Sequence, residues 1–349
     1  MSLSNACFAN ATSDDVDCFP VDCAPAVQAQ RGICEATLAM RHAGIRRVQI
    51  AWECQGPEGA PLLIVQGGIS AHRHTASSGR FPEAGWWEAQ CGAGKPLDTT
   101  RFRVLSIDWL GSDGNLDCCI DPSDQAEAIA AVLDTLRVRR VAAFVGASYG
   151  AMVGLQFASR HGARLGRVIA ISGAHRSHPQ VTALRVIQRR IVALGKSEGS
   201  IREALALARS LAVIGYRSGE EFAQRFDADP TVDREGARFA VEDYFDAIGP
   251  RFVARFSPTA YLRLSESIDL QSVDPATIRV PVELVAVTSD QIVPEADLLT
   301  LCEAVNAPAK LHRLDSLYGH DAFLKEEGAI AAILSSALKA AVAAPGVVA

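Results

Sequence analysis

Gly146, Ser148 and Gly150 form a G-x-S-x-G pattern inside FVGASYGAM, residues 144–152. The strand-like RVAAFVGA runs directly into the helical YGAMVGLQFASRHG. Small residues on either side of the serine leave room for a sharp turn that lifts its hydroxyl clear of a sheet. A plain glycine-rich turn has the same composition, so the reading depends on partners. A serine hydroxyl is a weak nucleophile until a base removes its proton, and the partners should follow in the order acid, then histidine. Of the eight histidines, His320 in LYGHDAF lies in a glycine-containing loop between the last strand pattern and the last helix. His42, His161 and His312 have tail, helix-end or strand contexts that suit structural or solvated roles, and His175 and His178 open a helical region. Asp290 ends VELVAVTSD, 30 residues before His320. Glu295 and Asp297 compete with it, but Asp297 suits the first turn of a helix, where a carboxylate complements the helix dipole. The expectation is Ser148 as nucleophile, His320 as base and Asp290 as its orienting acid. The backbone N–H groups of Tyr149 and of Ile69, in the glycine-containing VQGGISAHRH, would stabilise an oxyanion.

These residues need a scaffold that brings them together. RRVQIAWEC (46–54), PLLIVQGG (61–68), FRVLSIDWLG (102–111), RVAAFVGAS (140–148) and GRVIAISG (166–173) read as strands, most of them buried and parallel. SDQAEAIAAVLDTL has helical spacing behind Ser123, a candidate cap. This β-α-β rhythm predicts an α/β fold with a mostly parallel central sheet. After Gly173 come roughly ninety residues of helical periodicity without a convincing buried strand, the length being read from the numbering. Strand patterns return at RVPVELVAVTSD and AKLHRLDSL, and a helix closes the chain. The expected organisation is a loose tail over 1–40, a core from 41–174 and 270–349, and a helical insertion over 175–269.

Composition narrows the function classes. The chain has 349 residues, 49% hydrophobic, enough for a sizeable core, and a net charge of −6 with no basic block that would attract nucleic acid. The strongest apolar runs stop at about eight residues, against roughly 20 for a membrane span. Nine scattered cysteines without C-x-x-C spacing argue against a zinc or redox site and for reduced thiols in a cytoplasm.

The combined motifs resemble the homoserine O-acyltransferases of the α/β-hydrolase superfamily. The matching pieces run from about residue 61 to 328: GWWEAQCGAGKPLDTTRFRVLSIDWLGS, GASYGAM, the Q-R of VIQRR, GYRS, the RFV-x-RF-x-P-x-x-YL-x-L-x-x-x-x-D pattern ending at Asp269, and GHDAFL. The resemblance implies an α/β-hydrolase fold whose helical insertion is a lid that also makes a homodimer contact. It implies acyl transfer from acyl-CoA, a co-substrate and not a resident cofactor, to the hydroxyl of L-homoserine in methionine biosynthesis. It also implies that Arg189 meets the amino-acid carboxylate and Asp321 its ammonium, a division of labour that guanidinium and carboxylate chemistry supports. The chain departs from the family at Tyr149, where methionine is usual, and in the short GSDGNLDCCIDP loop, both on the acyl side of the pocket. Arg73, Arg176 and Arg80 are candidate cations for a succinyl carboxylate, which favours succinyl over acetyl. Serine as acceptor, or water in an esterase or thioesterase, are the competing readings, and a non-catalytic binding protein would lack a member of the triad.

Overall fold

A computed structural model describes residues 28–342. The chain begins with a long hairpin, β1 (Ala29–Met40) and β2 (Gly44–Gln55), followed by β3 (Leu62–Gln66) and β4 (Arg103–Ile107). Helix α1 (Pro122–Thr135) leads to β5 (Ala143–Ala147), α2 (Tyr149–His161) and β6 (Val168–Ile171). A helical segment follows: α3 (Pro179–Ser197), α4 (Ile201–Tyr216), α5 (Gly219–Phe226), a small ribbon of β7 (Thr231–Val232) and β8 (Ala237–Arg238), α6 (Ala240–Val253) and α7 (Pro258–Asp269). The chain then returns to the sheet through β9 (Val282–Val287), α8 (Glu295–Ala304) and β10 (Ala309–Leu314), and closes with α9 (Ala322–Lys325) and α10 (Glu327–Val342).

Eight strands form one sheet in the order β1-β2-β4-β3-β5-β6-β9-β10. β2 pairs antiparallel with both β1 and β4, and every other pairing is parallel. The central strands β3 and β5 are buried at every position, as their uninterrupted apolar runs require of strands covered on both faces. Helix α1 starts on a reciprocal cap: the Asp121 side chain accepts from the Ser123 backbone N–H at 2.9 Å, and Asp124 accepts from the Asp121 N–H at 2.8 Å.

The expected tail over 1–40 needs correction, because Ala29–Met40 is the first strand of the sheet; residues 1–27 lie outside the described part. Along β1, Cys34, Leu38 and Met40 are buried while Arg31, Glu35 and Thr37 are not, the alternation of a strand with one covered face. Gly32 and three alanines dilute that alternation in the sequence. Gly32 is opposite Trp52, and a Cβ there would lie 2.3 Å from the indole. The glycine is the floor on which the Trp52 ring rests.

Candidate active site

The turn between β5 and α2 carries Ser148 at φ 56°, ψ −120°, a conformation that costs a non-glycine residue on the order of 1–3 kcal/mol. Surrounding hydrogen bonds hold it there. The Ser148 N–H donates to Ile171 O at 2.8 Å, and the Ser148 carbonyl accepts from Ala151 N at 3.0 Å. The two motif glycines make room for the turn: a Cβ on Gly146 would lie 2.3 Å from Gly150 O, and one on Gly150 2.2 Å from Gln66 O. Neither position has space for any side chain.

His320 arrives on a single turn just before α9, and Asp290 on the turn after β9. With the imidazole protonated at Nδ1, that N–H donates to Asp290 Oδ2 at 2.7 Å, while Nε2 accepts from Ser148 Oγ at 2.8 Å. Asp290 also accepts from the Ile292 and Val293 N–H groups at 2.7 and 3.0 Å, so its second oxygen is anchored by backbone. Burial pulls the His320 pKa down, but the charge and hydrogen bond of Asp290 more than offset this, and the net shift is upward. The three residues expected from the sequence form one hydrogen-bonded chain across 172 positions.

Ile69 and Tyr149 both border the space above Ser148. Among the described residues their N–H groups make no backbone hydrogen bond, whereas the neighbouring Gly150 N–H donates to Gly67 O at 2.9 Å. The loop bearing Ile69 is tethered at two points. Trp109 Nε1 donates to Gly68 O at 3.0 Å. His74 is buried with Nδ1 2.9 Å from the buried Glu53 carboxylate. The Tyr149 ring is fully buried, edge-on to Trp109 at 4.9 Å, and shares a 2.6 Å hydrogen bond with Ser267 Oγ. Burial raises its phenol pKa against that hydrogen bond, so Tyr149 joins α2 to α7 as a neutral side chain.

The helices between β6 and β9 roof a cavity of about 260 Å³ over Ser148 and His320. Asp321 lines it, with its carboxyl 3.9 Å from Arg217. Burial raises the Asp321 pKa, opposed by His320, Arg217 and Arg209. Arg189, by contrast, is not among the lining residues. Its Nη1 donates to Asp269 Oδ2 at 2.7 Å and to Ser265 O at 3.0 Å, so the placement expected for it against a substrate carboxylate is not what the structure shows. Arg185, one helical turn earlier, lines the cavity instead, and its Nε donates to the other Asp269 oxygen at 2.7 Å. The expected succinyl cations also lie elsewhere. Arg73 is paired with Asp108, Arg176 with Asp297 at 3.4 Å, and Arg80 donates to Ala29 O at 3.3 Å. None of the three lines the cavity.

Sequence reasoning missed three lining groups: Arg209 and Tyr216 of α4, and Ser172, which sits at φ 50° after β6 with a buried hydroxyl lacking a partner. Arg209 and Tyr216 are seven positions apart in LARSLAVIGY, a helical spacing that puts both on one face. That spacing was the available signal. Three of the other histidines lie beside carboxylates: His42 is 3.2 Å from Asp121, His161 3.3 Å from Glu127 and His312 2.6 Å from Glu283, whereas His175 and His178 each have a buried Nδ1 without a hydrogen-bond partner among the described residues.

Comparison with known proteins agrees with this architecture. Residues 60–198 match the alpha/beta hydrolase fold family. The chain is 53% identical over 318 residues to a homoserine O-succinyltransferase of Xanthomonas campestris pv. campestris, covering 91% of this chain and 85% of that protein. It is 32% identical to a serine O-succinyltransferase of Litchfieldella anticariensis, covering 83% of this chain and 92% of the relative. The crystal structure of homoserine O-acetyltransferase from Bacillus anthracis superposes with a TM-score of 0.80 at 14% identity, over 90% of this chain and 98% of that one. The sequence identity and the shared fold place this chain in the homoserine O-acyltransferase family, as an acyltransferase of the α/β-hydrolase fold.

Proposed function

We propose that this protein is a homoserine O-succinyltransferase, moving the succinyl group of succinyl-CoA to the hydroxyl of L-homoserine through an acyl-serine, a step of methionine biosynthesis. The observation that carries the substrate pair is the similarity to the Xanthomonas homoserine O-succinyltransferase over nearly the whole chain. The chemistry rests on the Asp290–His320–Ser148 hydrogen-bonded chain beneath a roofed cavity. His320 takes the Ser148 proton as Oγ attacks the thioester carbonyl, and Asp290 stabilises the imidazolium that forms. The Ile69 and Tyr149 N–H groups donate to the tetrahedral oxyanion, and His320 returns its proton to the departing thiolate as the C–S bond breaks. In the second half, homoserine enters, His320 removes its hydroxyl proton, and the new oxygen attacks the acyl-serine. Collapse returns the proton to Ser148 Oγ.

Transfer must outrun hydrolysis. A cavity enclosed by α3, α4 and α7 and bordered by Asp321 favours a positioned amino-acid hydroxyl over bulk water. The reaction in this reading needs no metal and no resident cofactor. Free thiols at Cys34, Cys54 and Cys91 are consistent with action in the cytoplasm. No described helix is long and apolar enough to cross a membrane. Exposed apolar side chains on α3 and α4 support a homodimer formed through this helical roof.

The test is a steady-state assay of the purified protein with succinyl-CoA and acetyl-CoA against homoserine and serine, the esters being identified by mass spectrometry. Succinyl-CoA with homoserine should give the highest kcat/KM and an accumulating O-succinyl ester. Release of CoA that homoserine does not accelerate, with free succinate as the product, would identify a thioesterase instead. Preference for serine would move the acceptor assignment to that of the Litchfieldella relative.

A further inference from the structure

Helix α2 begins at the nucleophile, and one of its faces is joined to the roof by buried polar groups. Tyr149 Oη and Ser267 Oγ of α7 share a 2.6 Å hydrogen bond. Farther along, Gln271, just past α7, donates through Nε2 to Met152 O at 3.2 Å, and Gln156 Nε2 donates to Gln271 Oε1 at 3.1 Å and to Ser272 O at 3.0 Å. Tyr149, Gln156, Ser267 and Gln271 are all buried. Positions 149, 152 and 156 follow helical spacing, so these contacts run along one side of α2.

An apolar seam tolerates small slides, because its contacts are not directional. A buried hydrogen bond does not, because a polar group that loses its partner there is left unsatisfied. The polar seam therefore holds α7 against α2 in one register, and the bond at its active-site end has the most leverage. Tyr149 follows Ser148 directly, and its ring is set edge-on to Trp109 at 4.9 Å. On the other side of the bond, Tyr261, Ser265 and Ile268 of α7 line the cavity, and Asp269, two positions after Ser267, holds Arg185 and Arg189 of α3. One hydrogen bond thus connects the residue beside the nucleophile to the cavity wall.

We infer that Tyr149 and Ser267 are positioning residues: their bond sets where α7 stands over Ser148, and so decides how strongly the acyl-serine prefers the amino-acid hydroxyl to water. The inference rests on the succinyl transfer to homoserine proposed above. With either attacker the ester C–O bond to Ser148 breaks, a C–O bond forms to the attacking oxygen, and His320 carries the attacker's proton to Ser148 Oγ. Water needs no seat, whereas homoserine must be held with its hydroxyl in line, so a loosened wall costs transfer more than hydrolysis.

The experiment measures the ratio of O-succinylhomoserine to free succinate formed from succinyl-CoA at one fixed homoserine concentration, in wild type, Ser267→Ala, Tyr149→Phe and the double variant. Acylation of wild type and Ser267→Ala by p-nitrophenyl acetate, a small ester that needs the triad but no amino-acid seat, is followed alongside, as is thermal melting of all four proteins. The ratio should fall by about tenfold in each single variant and by no more in the double one, since the same bond is lost in all three. Ester acylation of Ser267→Ala should stay within about twofold of wild type. Melting should follow a different order: each single variant leaves one buried hydroxyl without its partner, while the double variant removes both hydroxyls and should melt closer to wild type. That divergence separates positioning from stability. A ratio that recovers in the double variant together with its melting point, losses that add, a wild-type ratio in Ser267→Ala, or ester acylation that falls as far as transfer would each overturn the inference. If a single variant melts too early to assay, the double variant carries the comparison. A wild-type enzyme that forms no O-succinylhomoserine would count against the proposed function, and the inference would fall with it.

Discussion

At the scale of residues, the Asp290–His320 contact sets the pH at which the base can work. His320 must be neutral to accept the Ser148 proton. Burial lowers its pKa, the adjacent Asp290 charge raises it further than burial lowers it, and the net shift is upward. The acid limb of kcat/KM should therefore fall above the ordinary imidazole value of about 6.5. Asp290→Asn removes the charge but leaves burial in place, so the limb should move to lower pH. The same change lets the imidazole adopt the wrong tautomer, and the rate at the optimum should drop by about 10⁴-fold. A pH–rate profile of succinyl transfer for both proteins checks both effects. An acid limb that stays in place in the asparagine variant would show that a group other than His320 is titrating.

At the scale of elements, the β5–α2 turn depends on the absence of side chains as much as on Ser148. Gly150 approaches Gln66 O so closely that an alanine Cβ would sit 2.2 Å from that oxygen, and backbone on both sides leaves little room to yield. Gly150→Ala should lower the unfolding free energy by about 1–3 kcal/mol and displace the Ser148 hydroxyl from His320. Gly59→Ala, where nothing lies within 4 Å of the added carbon, is the comparison, although its positive φ carries some strain of its own. Urea denaturation together with the rate of acyl-enzyme formation measures both, and a Gly150→Ala protein with wild-type values for each would remove the steric account of the turn. This turn was legible in the sequence because its spacing, the strand before it and the helix after it are all local signals. Asp290 and His320 were legible for the same reason, Asp290 ending a recognisable strand pattern and His320 lying in the loop between the last strand pattern and the last helix. Strand β1 was not, because its alternation is diluted by small residues whose role appears only when Trp52 lies across Gly32. The exchange of Arg185 for Arg189 at the cavity wall was illegible too. Two arginines one turn apart present the same chemistry to a sequence reader, and the outcome depends on where Asp269, some 80 residues later, delivers its carboxylate.

At the scale of the whole molecule, the roof over the site leaves apolar side chains facing solvent. Leu194 is 65% exposed, Leu207 60% and Ile187 49%, all on α3 or α4. Monomeric proteins in water seldom leave such a group of apolar side chains uncovered on adjacent helices. In a twofold dimer the same patch on each copy would cover the other. Such an interface would also restrain α3 and α4, which carry Arg185, Arg209 and Tyr216 into the cavity, so association and substrate recognition would be linked. A second exposed pair, Ile33 at 64% and Ile45 at 71%, lies far off in sequence on the β1–β2 hairpin and offers a control surface of similar chemistry. Leu207→Asp places a charge within the proposed contact and should shift sedimentation velocity from dimer to monomer at micromolar protein, with Ile45→Asp remaining dimeric. Because the monomer would keep its triad but lose the restraint on the roof, its KM values should rise more than its kcat falls. A monomeric wild type, or a Leu207→Asp protein that stays dimeric while Ile45→Asp dissociates, would place any association elsewhere than the roof.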